Sequence, residues 1–266
     1  MIWKMLPRSG QTMRKRQKFV FTAIAVSVAV LLAQAAPLEW RYLLIGLISL
    51  LTYVLSAWSL REGLAGVEWL TVVVPPSLFT LAGGLFYILL PGPLWSRILI
   101  AVVFAVGNYA LLLSGNIFSV AAIRTIALLR AAQTVGFVMT LLTGFLLFDT
   151  IYSFRLGFWW IGPLVAIASF LLTLPSLWSI GVGEKLNRRV LVLSLYIALF
   201  LGILSMVVTF WPVTLAVSSL FLTTMLYCLV GVTQHSLSER LFDKTIWEYI
   251  VVGGVVIITM LVTSLV

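Results

Sequence analysis

Charge is the scarcest commodity in this chain. Eight acidic and seventeen basic side chains among 266 residues make up 9% of it, against about 25% in a soluble domain. Hydrophobic residues take up 62%, and the mean hydropathy is +1.16. Such a composition cannot cover a water-facing surface, which excludes a cytosolic enzyme, a free nucleic-acid binder and a disordered tail. Cysteine is as scarce. Cys228 stands alone and can form neither an intramolecular disulfide nor a thiolate metal cluster, so a secreted disulfide scaffold is excluded too. A single histidine, His235, leaves no His-rich metal site. The phosphate loop G-x-x-x-x-G-K-[ST], the zinc helix H-E-x-x-H and the nucleophile elbow G-x-S-x-G are all missing. So is a paired-aspartate motif that could hold magnesium. No cofactor is expected.

What the chain has instead is long apolar runs. A bilayer core about 30 Å thick needs roughly 20 apolar residues per crossing helix. Nine runs between charged or turn-rich breaks meet that need: 19–36, 40–60, 67–90, 97–118, 131–148, 157–180, 190–211, 213–233 and 247–266. Pro212 divides the seventh from the eighth and implies a tight helical hairpin. Transmembrane β-strands would show short alternating segments, whereas these runs are continuous. The expected fold is all-α, a polytopic transmembrane helical bundle of about nine spans. A basic arm, residues 1–18, precedes a single transmembrane domain, residues 19–266.

The basic residues orient it. With the N-terminus in the cytoplasm, fourteen of the seventeen fall in cytoplasmic segments, and only Arg41, Arg97 and Arg155 fall outside. The C-terminus is then external, and the expected location is the cell membrane. The tryptophans agree. Trp40, Trp95, Trp159, Trp160 and Trp211 fall at outer ends, and Trp58, Trp69, Trp178 and Trp247 at inner ends, the belt of an amphipathic ring at headgroup level. The first span also resembles a secretory signal, with Ala33-Gln34-Ala35 as a cleavage pattern after Ala35. Its length favours retention as a span.

Candidate sites are few. Pro75-Pro76 in the third span deprives the carbonyls of Thr71 and Val72 of their helical donors. By helical rise Asn108 in the fourth span lies at about the same depth, so its amide is expected to repair that break or, with it, to line a mid-membrane polar site. Lys185, Arg188, Arg189, Arg240 and Lys244 are candidate lipid-headgroup contacts on the inner side. Ser236 with Glu239 forms a capping-box pattern, and 236–246 reads as an amphipathic helix on the inner leaflet. His235 with Glu239 at i, i+4 and Asp149 with Arg155 read as solvated or loop pairs, and Glu68 beside Trp69 as an interface anchor. All eight carboxylates lie at or near span ends, so none occupies the bilayer centre, where proton-coupled pumps keep one. No internal repeat is apparent, which counts against an inverted-repeat transporter.

The segments GVEWLT (66–71) and NIFSVAAIRTIALLRAAQTVGF (116–137) resemble parts of uncharacterised bacterial integral membrane proteins. The resemblance implies a bacterial inner-membrane setting and no particular activity. The reading for function is a non-enzymatic membrane component or scaffold. The alternative is a small transporter or lipid-handling protein using the polar site near Pro75, Pro76 and Asn108. Expected partners are membrane lipids, with other membrane proteins as candidates and no nucleic acid. The charge bias makes a direct prediction: reporter fusions after Arg189 and after Val266 should report opposite sides of the membrane. Matching sides would refute the nine-span orientation.

Overall fold

The computed structural model describes residues 15–64, 66–90, 94–121, 127–183, 186–239 and 242–265. These residues form helices and connections, with no strand among them. In chain order the helices are α1 (Lys15–Ala33), α2 (Leu38–Leu60), α3 (Glu68–Thr71), α4 (Val74–Leu89), α5 (Leu94–Ala121), α6 (Leu129–Ser153), α7 (Phe158–Gly181), α8 (Arg188–Val208), α9 (Leu215–Leu237) and α10 (Asp243–Leu265). Counting α3 and α4 as one broken span, nine among the described residues are long and apolar enough to cross a membrane. The chain is a multi-pass helical membrane protein. Pro212 does divide two spans, with α8 ending at Val208 and α9 starting at Leu215.

Two features differ from expectation. First, the described residues of 236–246 (236–239 and 242–246) do not form a separate surface helix. α9 continues through Ser236 to Leu237, the Glu239 N–H donates to the Ser236 carbonyl at 3.2 Å, and Glu239 leaves the helix with φ 54°. Ser236 therefore ends one helix instead of capping another, and Asp243 opens the last span. Secondly, the third span is not one kinked helix. α3 stops at Thr71, and α4 starts at Val74 with Pro75 and Pro76 in its first turn, where a missing N–H costs least.

Packing follows two registers. Phe79 stacks on Phe104 with centroids 5.1 Å apart, and Ser49 and Ser77 exchange hydroxyl bonds between α2 and α4 at 2.9–3.0 Å. The Ser27 hydroxyl donates to the Ala101 carbonyl at 2.6 Å, tying α1 to α5. At one end Lys18 lies 5.2 Å over the Trp58 ring. That end also carries Arg61, Arg130 and Arg188 and is called the basic end below. α6 joins this group to a second one, packing against α4 and α5 on one side and α7 and α9 on the other. α7 and α8 form the most extensively packed helix pair, and α10 packs chiefly against α9, with 11% of its most apolar stretch buried against 61% for α7.

Glycine makes the α7–α8 contact possible. A Cβ at Gly202 would meet the Gly162 carbonyl and the Ala166 Cβ, each at 2.9 Å, and neither can move without the backbone. In hydrocarbon, close packing of small residues replaces the hydrophobic drive between helices. Gly202→Leu should therefore cost about 1–3 kcal/mol as overpacking and lower the thermal midpoint in detergent. Gly46→Leu, where a Cβ would meet nothing within 4 Å, should leave it unchanged.

Candidate functional site

A cavity of about 790 Å³ opens at the basic end, between the first turns of α6, the last turns of α7 and α9, the start of α8 and Tyr249 of α10. Arg130, Gln133, Thr134 and Phe137 line it from α6, a spacing that puts all four on one helix face. α7 contributes Trp178 and ends at Val182, whose left-handed φ of 30° turns the chain toward α8. There Asn187 caps α8 by accepting the Arg189 N–H at 2.9 Å.

Two glutamines close the floor. Gln133 Nε2 donates to the Ser179 carbonyl at 2.7 Å. Gln234 Nε2 reaches the Ser176 carbonyl at 3.0 Å and its Oγ at 2.9 Å. The Ser179 carbonyl is among the last four of α7, which have no intrahelical donor, and the Ser176 carbonyl accepts the Gln234 amide besides the Ser179 hydroxyl. An aromatic file walls one side: Phe137 to Tyr227 at 5.8 Å, Tyr227 to Tyr249 at 5.1 Å, Tyr249 to His235 at 6.1 Å. Gly231 seats the Tyr249 ring, for a Cβ there would collide with it. Arg130 is the one formal cation among the described lining residues, and no carboxylate is among them.

The sequence candidates fall unevenly around this cavity. Arg188, Arg189 and Lys244 are exposed at the basic end, at the starts of α8 and α10, while Lys185 and Arg240 lie outside the described residues. His235 faces Tyr249, not Glu239, which has left the helix. Trp178 is 3% exposed and gives its Nε1–H to the Gly183 carbonyl at 3.1 Å; it pins the end of α7 instead of joining the belt. Asp149 accepts from the Ser219 hydroxyl at 3.2 Å in place of the expected Arg155 partner.

Asn108 is fully buried, and neither its Oδ1 nor its Nδ2 has a hydrogen-bond partner. The expected repair of the proline break is not made, and register explains why. The residue opposite Val72 is Gly115, where a Cβ would lie 2.7 Å from Val72 Cγ1. That is seven residues, about 10 Å, further along α5 than Asn108. Pro75 does line a small internal cavity with α5, α6 and α7. Glu68 is no interface anchor either. It is 2% exposed with Oε2 unpartnered, while its neighbour Trp69 is 44% exposed.

Sequence reasoning missed Gln133, Gln234 and Asn187. The signal was there for Gln133, which interrupts the run 131–148 near the basic end without a turn residue beside it; Gln234 directly follows the run 213–233. Among the described residues no three His, Cys, Asp or Glu side chains come together as metal ligands.

The family described as "Protein of unknown function (DUF5656)" matches residues 30–263, and the chain belongs to that family. Comparison with curated proteins and with solved structures finds no match.

The floor can be tested directly. Interhelical hydrogen bonds in membranes average about 0.6 and reach about 1.7 kcal/mol. Gln133→Leu and Gln234→Leu should each destabilise by an amount in that range, read from unfolding of the purified protein. A stability equal to the wild type in both would mean that α7 does not depend on these amides.

Proposed function

We propose that the protein is a small transporter or lipid-handling protein that takes an anionic ligand, of the phospholipid-headgroup kind, into the vestibule at the basic end. One observation carries this reading: a cavity of about 790 Å³ whose described lining residues include a guanidinium and no carboxylate. Ligand pockets span about 300–1,000 Å³ and combine apolar walls with a few placed polar groups. Here Phe137, Trp178 and Tyr249 supply the walls, and Arg130, Gln133, Asn187 and Gln234 the polar groups. The planar guanidinium of Arg130 can bind phosphate oxygens through two N–H groups at once, and exposed Arg188 and Arg189 add positive potential at the rim. By the charge bias this end faces the cytoplasm. A scaffold, the reading that missing catalytic motifs favour, has no use for such a cavity.

The test compares the purified protein in nanodiscs of phosphatidylcholine alone and with phosphatidylglycerol added, with glycerol phosphate as a soluble arm. Phosphatidylglycerol should raise the thermal midpoint of the wild type, and Arg130→Gln should remove most of that rise. A rise with glycerol phosphate alone would make the ligand a free solute. Equal midpoints in every condition would reject the anion site and return the scaffold reading.

A further inference from the structure

The polar groups of the vestibule divide by what their own hydrogen bonds leave free. Arg130 and Asn187 are left with donors. A guanidinium has no acceptor, and Asn187 uses its Oδ1 to take the Arg189 N–H at 2.9 Å, which leaves it the Nδ2 hydrogens. Four other lining residues keep oxygens. Gln234 directs its Nε2 to the Ser176 carbonyl and Oγ, so Oε1 is what remains of its amide. Ser238 donates to the Gln234 carbonyl at 2.8 Å and Thr134 to the Arg130 carbonyl at 3.1 Å. Each of these hydroxyls then has only lone pairs to give. Gln133 keeps its Oε1 and one Nε2 hydrogen after serving the Ser179 carbonyl.

All six line the same cavity. Arg130, Gln133 and Thr134 stand at i, i+3 and i+4 on α6, and Gln234 and Ser238 at i and i+4 on α9. A phosphodiester carries acceptors alone, so it satisfies the guanidinium and the Asn187 amide and gains nothing from the oxygens beside them. A ligand that matches the whole lining carries phosphate oxygens at one end and hydroxyl protons at the other. An ammonium also donates, but it would share the cavity with Arg130, and no carboxylate among the described lining residues would offset it. Choline has no proton to donate.

We infer that the vestibule selects a phosphate ester of a polyol. The phosphate lies on Arg130 and Asn187, and the polyol hydroxyls donate to the oxygens of Gln133, Thr134, Gln234 and Ser238. This inference rests on the anion site proposed above and deepens it. The guanidinium supplies affinity for negative charge, and the oxygens of α6 and α9 supply the choice among phosphates. A lipid headgroup and a free polyol phosphate share this chemistry.

The experiment is thermal unfolding of the full-length protein in phosphatidylcholine nanodiscs carrying either phosphatidylglycerol or phosphatidylethanol with the same acyl chains. The two added lipids have the same charge, and only the first has hydroxyls. Phosphatidylglycerol should half-saturate its midpoint rise at a mole fraction about two- to tenfold lower, the preference expected of one added hydrogen bond. In discs of phosphatidylcholine alone, glycerol phosphate against ethyl phosphate makes the same comparison for a free ligand. Thr134→Val combined with Ser238→Ala should narrow the difference in whichever pair shows it. Both hydroxyls bond within their own helices, so this variant keeps the test open if Gln234→Leu, which should narrow it too, does not fold. Equal rises for the hydroxylated and plain esters in both pairs would overturn the polyol assignment and leave the anion site standing. A rise with phosphatidylethanolamine as large as that with phosphatidylglycerol would overturn it as well. An undiminished difference in the folded variants would overturn the role of these oxygens. No rise with any of the four esters would reject the anion site itself, and polyol selection with it.

Discussion

In hydrocarbon every backbone N–H and C=O must find its partner inside the protein, because no water is there to supply one. The rest of this structure depends on that constraint. It accounts for the continuous helices, and it makes each interruption of them informative. Most membrane-level threonines and serines turn their hydroxyls back on the carbonyl three or four residues earlier, as Thr52, Thr80, Thr143 and Ser194 do. These bonds satisfy the hydroxyl without asking anything of a neighbouring helix. A smaller set reaches across: Ser27 to α5, Tyr152 to the Ser205 carbonyl, and the two glutamines to α7. The interhelical bonds are the ones that fix register.

Close approach does the remaining work of association. Lipid tails are as apolar as leucine, so helices gain little from burying leucine against leucine. They gain from contact that lipid cannot match, and glycine permits it. Gly202 lets α8 reach the backbone of α7, Gly84 receives Ile45 of α2, and Gly107 receives the Phe79 ring. α7, hemmed in on several sides, becomes the most buried span, while α10 keeps most of its surface for lipid. Polar features then collect where α7 ends.

The spans were legible because their signal is long and redundant. Continuous apolar runs, basic residues between them and tryptophans at their ends agree, and a helix boundary moves by only a few residues between sequence and structure. The sites were less legible because depth is not contact. Rise per residue set Asn108 level with Pro75-Pro76, but the break between α3 and α4 changes the register, and Gly115 faces Val72 instead. The burial of Glu68 was hidden for a related reason. Its position at a span end is readable, but the rotation that turns Trp69 outward and Glu68 inward depends on α3 packing against α7. Ser236 and Glu239 matched a capping box in spacing alone, and the same spacing is available to the last turn of a helix that is ending.

One turn of α7 connects the two polar regions. Ser176 and Ser179 border the small proline-lined cavity, and their carbonyls take the amides of Gln234 and Gln133 from the vestibule side. Just before them Pro175 removes the N–H that would have held Leu171. The turn therefore takes hydrogen bonds from side chains of α6 and α9 in addition to those of its own helix. On the proposed reading of the vestibule, a ligand that competes for either amide acts on a carbonyl of this turn. A ligand shifts a conformational equilibrium only by interacting differently with its two states. Here the element is a single helical turn that takes hydrogen bonds from two neighbouring helices as well as from its own, and side-chain partners of that kind can exchange without unfolding the span.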